Sequence, residues 1–129
     1  MNKISELHKQ AMDFAELAYI AKIKGRIDEF YDFSRKAFEK EKEASKFAKE
    51  TIVPEPTLSV LHRSAASLAI DCGEFREAER LIAFALSGNP PNDIAIELRD
   101  LLEQVNFLRH LDLRGKVLVR LGGKLGEDP

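Results

Sequence analysis

Residues 60–90 read VLHRSAASLAIDCGEFREAERLIAFALSGNP, and the fold turns on this stretch. It predicts two short helices, about 56–72 and 75–87, folded back on each other around Cys72-Gly73-Glu74. Small residues recur where the two helices must touch: Ala65, Ala66, Ala69, Ala78 and Ala85. Such a seam lets helices approach to the short end of the ~8–10 Å range. Ser87-Gly88-Asn89-Pro90-Pro91 stops the second of them. One hairpin of this kind cannot bury both of its faces, so it predicts a stack.

Toward the N-terminus, residues 3–24 carry a helical stripe of Ile4, Leu7, Ala11, Phe14, Ala18 and Ala21, ended by Gly25. A second row, Met12, Ala15, Tyr19 and Ile23, lies on an adjacent face. A helix apolar on two faces is deeply buried or lines a groove. Residues 27–50 form the next predicted helix, with an inner face of Ile27, Phe30, Phe33, Ala37, Ala44 and Phe47 or Ala48. Its second half, from Glu39, mixes Lys and Glu and leaves no wide apolar stripe, which is the pattern of a solvated helix extension. A charged docking face is the alternative. Thr51–Thr57 is a breaker, because Pro54 and Pro56 lack amide protons and bias Val53 and Glu55 away from helical geometry.

Beyond the stretch, residues 92–110 show a one-sided stripe of Ile94, Leu98, Leu101, Leu102, Val105 and Leu108, the pattern of a terminal helix. Residues 115–121 alternate weakly, with Val117, Val119 and Leu121 on one side. The segment 112–129 is open to three readings: a mobile tail, a strand paired across a dimer, or an extension packed into the helical body. The expected organisation is therefore all-α, about five helices in antiparallel hairpins over residues 1–111, followed by a tail at 112–129.

The 129 residues fit a single domain. The formal net charge is −2 with both signs interleaved, which gives no field for nucleic acid or membrane lipid. The single cysteine, Cys72, excludes an intramolecular disulfide. With no apolar leader at the N-terminus and no window of ~20 apolar residues, the expected location is cytoplasmic. His8, His62 and His110 have no second His or Cys at ligand spacing. Cys72 reads as a buried structural thiol. The carboxylates sit at helical spacing with Lys and Arg, and Gly122-Gly123-Lys124 lacks the spacing of a phosphate loop. No catalytic residue, metal or cofactor is expected, and the chain does not read as an enzyme.

Two segments overlay on their glycines. Gly25 falls on Gly73, Ala21 on Ala69, Ile27 on Phe75, Phe30 on Ala78 and Ala37 on Ala85. In the second segment Gly73-Glu74-Phe75 stands at the turn, followed by Ala78, Ile82, Ala85 and Pro90. This pattern resembles the tetratricopeptide repeat, a helix–turn–helix unit. His62 stands in place of its opening Trp, Ala66 in place of Gly and Ala69 in place of Tyr. The resemblance covers roughly residues 11–90. It implies a right-handed stack with the fifth helix as C-terminal cap, and a concave surface that binds a peptide or a partner helix. Carried over by position, that surface presents Met12, Glu16, Tyr19 and Ile23 from the first helix, and Val60, Arg63, Ser67 and Ile70 from the third. Glu16 and Arg63 would set its polarity. The family's carboxylate clamp is not matched, since Ala15 and Tyr19 stand where Lys and Asn belong.

The resemblance thus implies a scaffold or adaptor domain whose partner is another protein or peptide. Two alternatives stand beside it. One is a homo-oligomerisation module, in which the fifth helix and the tail join a homodimer. The other is a regulatory domain holding a small ligand between the first, third and fifth helices.

Overall fold

The structure, a computed structural model, describes residues 2–121. Five helices follow one another: α1 (Asn2–Ile23), α2 (Ile27–Glu50), α3 (Thr57–Asp71), α4 (Phe75–Ser87) and α5 (Asn92–Leu121). There is no strand among the described residues. Each helix packs on its neighbours in the chain, and α3 packs in addition on α5. α3 therefore has neighbours on three sides. Its Ala65, Ala66 and Ala69 are fully buried, as are Ala37 and Ala78 opposite them in the chain's other helices.

The main core joins α2, α3, α4 and α5 through Phe38, Leu68, Ile70, Ile82, Leu98 and Val105. A second cluster joins the start of α1 and the end of α2 to α3 through Ile4, Leu7, Ala44, Ala48 and Leu61. The α1 stripe expected from the sequence is buried at Ile4, Leu7, Ala11, Ala18 and Ala21.

α2 departs from its predicted inner face. Ile27 is exposed, and Phe30 and Phe33 are half-buried. Ala37, Ala44 and Ala48 of that face are buried as expected, and Ser34, Phe38, Glu41 and Ser45 join them in a regular helical stripe. The charged run from Glu39 is thus not a solvated extension. Its inward face is small and partly polar, so a search for apolar residues passes over Glu41 and Ser45. Glu41 is 0% exposed, and His8 Nδ1 lies 2.8 and 3.0 Å from its two carboxylate oxygens. A buried carboxylate needs such a partner, since an unpaired one carries a large desolvation penalty.

α5 also differs from expectation. It does not end near residue 110 but continues through Leu121, so residues 112–121 are neither strand nor extended chain. The weak alternation of Val117 and Val119 gives way to helix continuation, and an ion-pair row runs along the helix just before it. Arg109 reaches Glu79 of α4 at 3.4 Å and Asp112 at 3.3 Å, and Lys116 reaches Asp112 at 3.1 Å. The rest of the predicted tail, residues 122–129, lies outside the described residues.

Three helices end in the same way. After α1, the Arg26 amide donates to Ala21 and that of Gly25 to Lys22. After α3, the Glu74 amide donates to Ala69 and that of Gly73 to Ile70. After α2, the Val53 amide donates to Ala48 and that of Ile52 to Lys49. This paired bonding is the Schellman arrangement and needs a residue in the left-handed region. Gly25 (φ 73°) and Gly73 (φ 80°) supply it without strain, but Ile52 (φ 53°) is β-branched and 83% exposed.

Left-handed geometry costs a non-glycine residue about 1–2 kcal/mol. Ile52→Gly is therefore expected to stabilise the chain by up to about 1 kcal/mol, after the extra freedom of glycine in the unfolded state is discounted. Gly73→Ala is expected to destabilise it by about 1 kcal/mol through the backbone alone, because no atom lies within 4 Å of the added methyl. Urea unfolding midpoints shifting in opposite directions would check both.

Candidate functional site

Two recesses lie along α3 and share Leu68 as a common floor. The larger, about 460 Å³, opens between α3 and α5 with Met12 of α1 at its edge. From α3 it takes Arg63, Ser64 and Ser67, and from α5 Glu97, Asp100, Leu101 and Gln104. The smaller, about 220 Å³, lies among α1, α2 and α3, with Tyr19, Lys22, Phe30, Ser34 and Asp71 around it. Helical spacing creates this alignment: Arg63, Ser64, Ser67, Leu68 and Asp71 recur every three or four residues on one side of α3.

The groove is polar at its rim and apolar at its floor. Arg63 Nη1 donates to Glu97 Oε1 at 3.0 Å, linking α3 to α5 across the larger recess. Three carboxylates (Asp71, Glu97, Asp100) thus face two cations (Lys22, Arg63) along the groove. Burial pushes the Asp71 carboxyl above the ordinary carboxylate range, and the nearby Lys22 opposes this. Ser34 Oγ is buried and has no hydrogen-bond partner among the described residues. Such an orphan is uncommon inside a protein.

Of the residues predicted for the surface, Met12, Arg63 and Ser67 come together in the larger recess and Tyr19 in the smaller. Glu16 and Ile23 are exposed on α1 but line neither. Ile70 is buried in the main core and Val60 is packed against it, so these two are core residues and not groove residues. The polarity is also set differently. Arg63 is paired with Glu97 of α5, and Glu16 lies outside the recess. α5 leaves the second row of α1 open, with Met12, Tyr19 and Ile23 all exposed. The reading of α5 as one apolar side and one watery side passed over Glu97, Asp100 and Gln104 as groove residues. The available signal was their spacing, which puts all three on one flank of the helix.

Around the groove, side chains lock the turns. Arg35 of α2 donates to Glu74 Oε2 at 2.9 Å and to the Cys72 carbonyl at 3.2 Å, fixing the α3–α4 connection. Its bond to Glu74 raises the guanidinium pKa further. Burial pushes the Cys72 thiol up, so it stays protonated. At the other end of α3, Glu55 accepts from the Ser59 amide at 2.9 Å and from the Ser59 hydroxyl at 2.7 Å. No group of three or more His, Cys, Asp and Glu among the described residues is placed to hold a metal ion. No helix among them is long and apolar enough to cross a membrane. No family model, no curated protein and no solved structure matches this chain.

His62 is 2% exposed. Its Nδ1 bonds the Leu58 carbonyl at 2.8 Å, and its ring packs on Phe84 at 4.6 Å. Burial lowers its pKa below the ordinary 6.5, the Leu58 bond acts against that, and Lys49 adds to the lowering while Glu55 opposes it. A group whose folded pKa is depressed binds its proton first in the unfolded chain. The His62 contribution is therefore complete above about pH 6.5 and is lost as pH falls toward the folded pKa. Melting temperature followed from pH 7.5 to 5.5 should fall less in His62→Phe than in the native chain.

Proposed function

We propose that this chain is a non-enzymatic interaction domain that binds a peptide or partner helix in the groove along α3. In this reading α1–α2 and α3–α4 are hairpins stacked as in the tetratricopeptide repeat, with α5 as the cap. The contact order supports it, since α3 touches α2, α4 and α5. So do the glycine turns at Gly25 and Gly73, which end the first helix of each pair in the same bonding pattern.

The observation that carries the proposal is the pair of open recesses with a shared apolar floor at Leu68. An elongated groove suits a chain better than a compact small molecule, which closed apolar cavities hold. The chemistry of the rim defines the guest. With Glu97, Asp100 and Asp71 outnumbering Arg63 and Lys22, the groove favours a segment carrying a basic residue beside an apolar one. The apolar side chain would rest on Leu68 and Leu101, and the unpartnered Ser34 hydroxyl would meet a polar group of the bound chain.

Selection of a random peptide library on the immobilised protein tests this. Ser67→Trp fills the larger recess from a half-buried position. Selected peptides should be rich in Lys or Arg next to an apolar residue, and their affinity should drop at least about tenfold in the variant. Peptides bound equally by both forms, or no enrichment at all, would overturn the groove as the binding site.

A further inference from the structure

We propose that α5 pairs antiparallel with α5 of a second copy about a two-fold axis at Phe107, through its outward face. On the body side of α5 the row Ile94, Leu98, Leu101, Val105 and Leu108 packs into the protein, and the same row then turns polar at Arg109, Asp112 and Lys116. Exposed apolar residues now stand on other sides of the helix as well, while Val119 continues the body-side row. Phe107 (63% exposed), Leu111 and Leu118 are all exposed, and their spacing places them on one outer face with Arg114 between them. Ile96, exposed, and Asp100 begin the same face toward the N-terminus, at steps of four and three residues. Steps of three and four residues keep these side chains on one face of the helix, with two successive steps of four about Phe107.

The seam is self-complementary. With Phe107 on the axis, Asp100 lies opposite Arg114 of the second copy, and Ile96 opposite its Leu118, each pair equally far from Phe107 along the chain. Glu103, one turn from Asp100, flanks the same Arg114. Asp100, Glu103 and Arg114 are exposed and make no ion pair among the described residues. A parallel pair in register would set Asp100 against Asp100 and Arg114 against Arg114, which costs what the antiparallel pair gains.

Length points the same way. α5 has 30 residues, Asn92 to Leu121, so Phe107 lies at its middle and the two helices overlap along nearly all of their ~45 Å. The half that leaves the body, exposed throughout residues 113–120, then rests on the half that the other copy holds against its own body. A helical segment of that length is marginal in water without a partner. The second copy also brings Arg114 to Asp100, which lines the groove rim, so the dimer would adjust the charge of the groove. The pairing stands independently of whether the groove takes a peptide.

Sedimentation equilibrium of the full chain over about 5–500 µM tests it, the range fitting a single helix pair at the small end of stable interfaces. The mass should rise with concentration from 14.6 kDa toward twice that value. Phe107→Asp sets two carboxylates on the axis and should weaken association at least about tenfold, with the helical circular dichroism unchanged because the position is exposed. Asp100→Arg and Arg114→Asp should each weaken it several-fold, and the double exchange should restore it. A monomer at every concentration would overturn the proposal. So would a dimer indifferent to Phe107→Asp, or a double exchange that fails to rescue, which would leave the outer face to a different protein.

Discussion

Close approach at α3 is the constraint on which the other features depend. A helix with neighbours on three sides can carry large residues only where a neighbour leaves room. Ala65, Ala66 and Ala69 are the result, all with no exposed surface. Larger side chains there would force the helices apart and cost on the order of 1–3 kcal/mol each. The remaining flank of α3 then holds the residues that the packing does not claim. Ser64, Ser67 and Arg63 lie there, above the core residue Leu68 that floors the groove.

Electrostatics are used sparingly inside and more freely at the rims. The buried Glu41 is held by His8, and the buried Ser59 by Glu55, each pair linking a helix to a neighbouring segment. At the groove, Arg63 joins Glu97 over the recess, while Asp100 stands between the groove and the outer face of α5. One carboxylate is thereby placed to serve two surfaces. That arrangement makes partner binding and self-association physically coupled in the proposed reading, through the charge that a second copy's Arg114 would bring.

Much of the helix plan was legible in the chain. Gly25 and Gly73 mark two turns because only glycine takes their backbone geometry without strain, and Pro54 and Pro56 mark the break before α3. The third such turn was not legible, since Ile52 occupies the left-handed position against its own preference. The inward face of α2 was legible only in part, for a different reason. Its Ala37, Ala44 and Ala48 were read correctly, but Ser34, Glu41 and Ser45 were not, because a search for apolar residues does not pick out polar ones. Part of the candidate site was legible as well. Met12, Tyr19, Arg63 and Ser67 line the recesses, but Val60 and Ile70, chosen by analogy of position, belong to the core.

The sequence alone determined an all-α fold class, the starts of its five helices, the ends of the first four and the alanine seam, because these rest on local periodicity and on residues with narrow backbone preferences. Tertiary structure decided the rest. That Glu41 meets His8, that Arg63 meets Glu97 and that α5 supplies one wall of the groove depend on residues more than thirty positions apart. The end of α5 was decided there too. Its weak alternation left tail, strand and packed extension open, and the structure continues it as helix, with ion pairs from Glu79 through Arg109 and Asp112 to Lys116 along it. Local sequence sets which conformations each segment can adopt. Packing and paired charges, which exist only once the chain has folded, choose among them.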